Sequence, residues 1–160
     1  MSIMCKPSNA GASGSSVVAC LVAALFWAPL HAQDALDEKV VDVSGIKWNE
    51  AGGGNGFPIG VRTALQGVDS VTGGITYYAL FPAGSKFEPH WHTHDEFVVV
   101  ARGSLAITLK SNMHELQVGS YVVIPGSVIH EWKVPAHGED AVILVRRAGP
   151  ADFHFATKSD

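Results

Sequence analysis

Residues Gly84 to Gly103 read GSKFEPHWHTHDEFVVVARG. Within this stretch His90, His92, His94 and Glu96 occupy every second position, and along an extended backbone alternate side chains share one face. Imidazoles and a carboxylate together are donors that suit divalent iron, manganese, nickel, copper or zinc. Without a cation each group would need its own hydrogen bond or solvent, because a buried polar group left unpaired costs roughly 1–3 kcal/mol. The competing reading is a solvated loop rich in histidine, and the flanks speak against it. Pro89 fixes an extended approach to the cluster. Phe97-Val98-Val99-Val100 behind it reads as a buried strand.

Outward from this centre the pattern is strand-like. Val61–Leu65, Ile75–Phe81, Glu96–Ala101, Leu105–Leu109, Tyr121–Ile124, Ile129–Val134 and Ala141–Arg146 are short apolar or β-branched runs separated by Gly, Pro, Asn or Ser. Gly103-Ser104 and Ser111-Asn112 read as hairpin breaks. Short strands at this spacing, with no helix-period stretch among them, predict an all-β sandwich or barrel, and the pattern alone does not separate the two.

Alternation also assigns the interior. If Glu96 faces inward, Val98, Val100 and Arg102 share its side, with Arg102 near the mouth. If His130 faces inward, so do Trp132 and Val134, while Glu131 and Lys133 face out. Trp132 is then a substrate wall or core filling. Tyr77, Tyr78 and Tyr121 are the only phenols, candidates for a proton donor or base. Trp91 should point away from the histidines. Ala141–Val145 is apolar on both faces, so an arm or a second subunit should cover its outer side.

Residues 1–32 read as a secretory signal peptide, with Lys6 in the basic region, the apolar run Val17–Leu30, and cleavage after Ala32. Leu30 at the minus-three position is imperfect for that cleavage. A lipoprotein signal ending at Cys20 and an uncleaved anchor are the competing readings. Both cysteines, Cys5 and Cys20, lie in the removed segment, so the mature chain would have neither disulfide nor thiolate ligand. Residues 33–60 read as an irregular N-terminal arm carrying Ile46 and Trp48, with turn signals from Gly52 to Pro58. Residues 61–156 form the remaining single domain. The net charge of −4 becomes −5 once Lys6 is lost, which argues against nucleic acid or an anionic membrane as partner. The expected location is the periplasm or the cell exterior, with no stable membrane insertion after cleavage.

The quoted stretch resembles the first motif of the cupins. Gly84, five residues, His90-Trp91-His92, three residues, Glu96, six residues and Gly103 match every fixed position of that motif. The second motif is met by Gly119, Pro125 and His130, with Ser127 where the family has Gly and Val134 where it has Asn. Gly126 could supply the tight turn in place of the missing Gly. The resemblance spans roughly Arg62 to Phe155, and the FPAG, PHWH and DE strings look like those of small exported bacterial cupins. It implies a single-domain jelly-roll β-barrel enclosing one divalent metal ion held by His90, His92, Glu96 and His130. His94 is then an extra imidazole beside the metal or exposed. His94, Arg102, Tyr121 and Trp132 are the candidates for a substrate pocket.

Two functions follow as expectations. A three-His, one-Glu site with open positions is similar to that of dioxygenase-like cupins acting on small molecules. The alternative is a cupin that binds or senses a small molecule or metal without catalysis. A homodimer is expected, since pairing through an outer face is common in the family.

Overall fold

In a computed structural model, residues 38–156 are described. The signal-peptide reading, its cleavage point and both cysteines fall outside them. Residues 38–51 form an arm with one 3-10 turn at Val43–Gly45, and eleven strands follow. These are β1 (Gly52–Gly54), β2 (Phe57–Val68), β3 (Ile75–Phe81), β4 (Lys86–Trp91), β5 (Glu96–Arg102), β6 (Ser104–Leu109), β7 (Asn112–Gln117), β8 (Tyr121–Ile124), β9 (His130–Lys133), β10 (Ala141–Arg147) and β11 (His154–Phe155).

The strands make two antiparallel sheets, β1-β2-β3-β10-β5-β8 and β11-β4-β9-β6-β7, the arrangement of a jelly-roll barrel. The core between them follows the predicted alternation. Val98 and Val100 of β5 and Ile143 and Val145 of β10 face Leu105, Ile107, Phe87, Trp132 and Val134 of the other sheet, all buried. Residues of intermediate parity on β5 and β9, such as Val99 and Lys133, are exposed.

Several local expectations need correction. Gly103 does not close a hairpin: β5 and β6 lie in different sheets, and Gly103 (φ 71°) turns the chain from one to the other. A Cβ there would press on the Asp140 carbonyl oxygen, so the corner requires glycine. The β6–β7 hairpin turns at Lys110-Ser111, one residue earlier than expected, because register pairs Leu109 with Asn112. Within the segment read as irregular, Asn55 and Gly56 both have positive φ and join β1 to β2, so that Gly54 pairs with Phe57. The arm runs beside β2, with Asn49 N–H donating to the Thr63 carbonyl at 2.9 Å and Ile46 buried.

Candidate metal centre

Two cross-strand pairs bring the site together. In the five-stranded sheet His90 of β4 lies in register with His130 of β9, their ring centroids 4.2 Å apart. In the six-stranded sheet Glu96, the first residue of β5, lies opposite Arg147, the last of β10. His92 sits at the corner, just past the end of β4. All five side chains are buried, none more than 4% exposed.

The imidazoles share one orientation. His90 Nδ1 meets the Glu88 carbonyl at 2.7 Å, His130 Nδ1 that of Val128 at 3.0 Å, and His92 Nδ1 that of Asp152 at 2.7 Å. A carbonyl only accepts, so each Nδ1 carries the proton and each Nε2 turns a lone pair inward. The inward-facing atoms of His90, His92 and His130 lie within 4.8 Å of one another. Glu96 stands beside this triad, its Oε2 3.4 Å from His92 Nε2 and 3.6 Å from His130 Nε2.

Electrostatics keep these groups ready for a cation. Burial, reinforced by His130, lowers the pKa of His90 to about 2. Burial and then Arg147 lower that of His92 to about 3. His130 is lowered as well, chiefly by burial. All three are therefore neutral near pH 7. Burial raises the Glu96 pKa while Arg147 works against that rise. His130 Nε2 and Glu96 Oε2 are buried with no hydrogen-bond partner, and a divalent ion between them would satisfy both. The donor set thus fits a metal, with one complication: Arg147 Nη2 stands 3.1 Å from His92 Nε2 and uses the same lone pair.

The sequence had no signal for this arginine as long as β10 was ended at Arg146. Extended one residue, the inward parity Ala141, Ile143, Val145 runs on to Arg147. Arg147 also donates to Tyr77 Oη and to the Asp152 carbonyl, both at 3.3 Å, and lies over the Phe153 ring at 4.9 Å. Asp152 in turn accepts from Thr93 N–H and Oγ1, which holds its carboxyl well below the usual range. Tyr77 is pushed up to about 12 by burial and by Glu96.

The other predicted pocket residues separate. Trp132 is buried and lines the cavity beside His90 and Glu96. His94 leaves the period-two row because β4 ends at Trp91 and residues 92–95 form a bend, and its ring packs on Gly149. Arg102 does not share Glu96's side. A bulge lies between the pairs Ile143–Val100 and Val142–Arg102, and the extra residue reverses the alternation. Arg102 instead points at Glu139, 3.9 Å away. Tyr121 pairs with outward-facing Val99 and is 61% exposed, on the outer face rather than in the pocket. Trp91 stacks on His154 at 4.0 Å, away from the histidines as expected.

The fold and its imidazole cluster define a small double-sheet barrel with an internal histidine triad that could hold a metal ion. The cupin domain profile matches residues 77–145, so this stretch of the chain is a cupin domain. Among solved structures it is similar to a cupin-2 domain from Rhodospirillum rubrum, at 15% identity over 78% of this chain and 84% of that one, TM-score 0.61. A cupin-like protein from Thermotoga maritima is similar at 21% identity over 74% and 92% of the two chains, TM-score 0.61. A DMSP lyase structure is similar at 14% identity over 71% and 63% of the two chains, TM-score 0.58. At such identities the likeness concerns the fold. No curated protein matches the sequence significantly.

Proposed function

We propose that the protein is an exported metalloprotein in which His90, His92, His130 and Glu96 hold one divalent iron, manganese, nickel, copper or zinc ion. The observation that carries this is the convergence of three proton-free Nε2 atoms beside a carboxylate, with His130 Nε2 and Glu96 Oε2 buried and unpartnered. When bound, such an ion supplies Lewis-acid or redox chemistry to a small molecule in the adjoining cavity, and a dioxygenase-like oxidoreductase is the first reading. The chain's own residues shape that cavity: Phe57, Phe81, Phe87 and Phe153 exclude water, while Tyr77 and Arg147 present donors.

Among the described residues, besides those of the metal site, the only titratable groups lining the cavity are Tyr77 and Arg147. Burial pushes the Tyr77 phenol up to about 12, so it does not exchange protons readily near neutrality, and Arg147 is a donor only. That favours the second reading, a cupin that binds or senses a small molecule without turning it over.

Elemental analysis of the untagged mature protein tests the site. The expected result is about one equivalent of metal per chain, lost in His92→Ala; a metal-free wild type, or a variant with undiminished content, overturns it. Metal-dependent consumption of dioxygen or of a substrate then separates the enzyme from the binding module. A homodimer forms part of this proposal, supported by exposed Val99, Tyr121 and Val123 on the outer face of the six-stranded sheet. Light scattering at micromolar concentration should give twice the monomer mass, and a monomer peak would refute it.

A further inference from the structure

Arg147 is a buried cation without a proper partner. Its guanidinium is 1% exposed, yet each of its hydrogen bonds is long for a charged donor, at 3.1 to 3.3 Å, against about 2.7–2.9 Å for charge-assisted pairs. Its contact with Glu96 Oε1, at 3.6 Å, is an ion pair without a hydrogen bond. Its Nε–H has no acceptor among the described residues. A guanidinium carries a rigid fork of N–H donors suited to two oxygens at once, and among the described residues nothing accepts from its Nε–H edge.

The charge count points the same way. Imidazoles that keep their proton on Nδ1, one carboxylate, one guanidinium and a divalent ion would leave the cavity with two uncompensated positive charges. The rest of the lining is mainly apolar: Phe57, Val61, Phe81, Phe87, Ile143 and Phe153. A metal on His92 Nε2 would also use the lone pair that Arg147 Nη2 now borrows, freeing that N–H as well. The space measures about 130 Å³, close to the roughly 150 Å³ of an apolar cavity that accommodates benzene. Phe87, already stacked on His90 at 3.9 Å, and Phe153 flank it with ring faces and edges.

We propose that Arg147 anchors the carboxylate of a small organic acid whose ring-sized apolar body lies among Phe57, Phe87 and Phe153. This rests on the metal-site reading for the charge balance, whereas the unfilled guanidinium fork and the apolar walls are there without a metal. The site thereby selects an anion by charge and a short aromatic or aliphatic acid by volume.

Calorimetric titration with benzoate and with benzamide, its neutral counterpart of equal shape, tests this in both metal-loaded and chelator-treated protein. Benzoate should bind wild type at least about tenfold more tightly than benzamide, and Arg147→Gln should erase that preference. Equal affinity for the two probes, a preference that survives Arg147→Gln, or no benzoate binding up to about 10 mM would each overturn it. If the variant does not fold, the Arg147 Nε–H resonance in wild-type protein decides. It should move downfield with benzoate and stay in place with benzamide; an unmoved signal overturns the proposal. The chelator arm separates the two readings. Protein that takes up no metal but prefers benzoate removes the metal site and keeps the anchor, and protein that takes up metal but treats both probes alike does the reverse.

Discussion

The two walls of the site are built by different means. On the five-stranded sheet His90 and His130 are each oriented by a carbonyl two residues earlier in their own strand segment, that of Glu88 and that of Val128. On the other side the partners are remote. His92 is oriented by Asp152 and Glu96 faces Arg147, links that span 60 and 51 residues (147 − 96) of chain. On one wall each ring is therefore oriented by its own strand segment, whereas the other wall takes its orientation only once β10 and the segment behind it have docked. The difference teaches that the ring orientation of His90 and His130 is a local property, while the orientation of His92 and the ion partner of Glu96 depend on the segment from Arg147 to Asp152.

Removing Arg147 should affect this asymmetry most. In the metal-free protein Arg147→Gln leaves the Glu96 carboxylate buried without its cation, and stripping one member of a buried pair costs about 3–5 kcal/mol. Glu96 limits the loss by taking up a proton, a direction its raised pKa already favours. Glu96→Gln should cost less, because Arg147 keeps the Asp152 carbonyl, Tyr77 Oη and His92 Nε2 as acceptors. The double variant should fall well short of the sum, as expected for groups in one network. Urea titration of the four proteins in chelator checks this; strict additivity would show that the two walls are not coupled through this pair.

Acid should act next, through the imidazoles. In the unfolded chain His90 and His92 take up protons near pH 6.5, but in the folded protein not until about 2 and 3. The unfolded state thus binds more protons across that window, and stability falls as the pH drops through 6.5. Between pH 7 and 5.5 the loss should be on the order of 1 kcal/mol for a buried histidine such as His90. Glu96, with its raised pKa, takes up its proton earlier in the folded protein than in the unfolded chain, so it opposes the trend from that raised value down to its ordinary 4.5. Asp152, held low by Thr93, enters only below its ordinary 3.8. Thermal melts of metal-free wild type and His90→Gln over this range test the claim, and equal slopes would remove His90 as the cause.

What could be read from the sequence follows the same division. The strands Ile75–Phe81 and Tyr121–Ile124 and the inward sets on β5 and β9 were legible because alternation and β-branched runs are local signals. So was the histidine cluster, whose spacing lies within one strand and bend. β7 was not, since Asn112–Gln117 is solvated at every position but Leu116 and shows no apolar period. Arg102 was misassigned because a bulge carries no mark in composition. Arg147 was missed because its role depends on which residue β10 sets opposite Glu96, a fact of register.

The smallest effect concerns the turn that carries the local wall's second histidine. The family's glycine position is occupied by Ser127, which itself adopts φ 65°, so Gly126 does not take over the turn. Gly126 is needed for another reason: a Cβ there would collide with the Thr93 carbonyl oxygen, in the bend that leads from His92 to Glu96. The left-handed conformation costs a non-glycine residue about 1–2 kcal/mol, and tertiary bonds hold it in place. Ser127 N–H donates to the His92 carbonyl at 2.7 Å and Gly126 N–H to Asp95 Oδ1 at 2.8 Å. Ser127→Gly keeps both backbone bonds and removes the strain, while adding some entropy to the unfolded chain. The net expectation is a gain of about 0.5–1 kcal/mol with metal content unchanged, read by urea denaturation and elemental analysis. A loss of stability would show that the serine side chain contributes something its hydrogen bonds do not reveal. A loss of metal would mean that this turn, and with it the placement of His130, depends on more than backbone geometry.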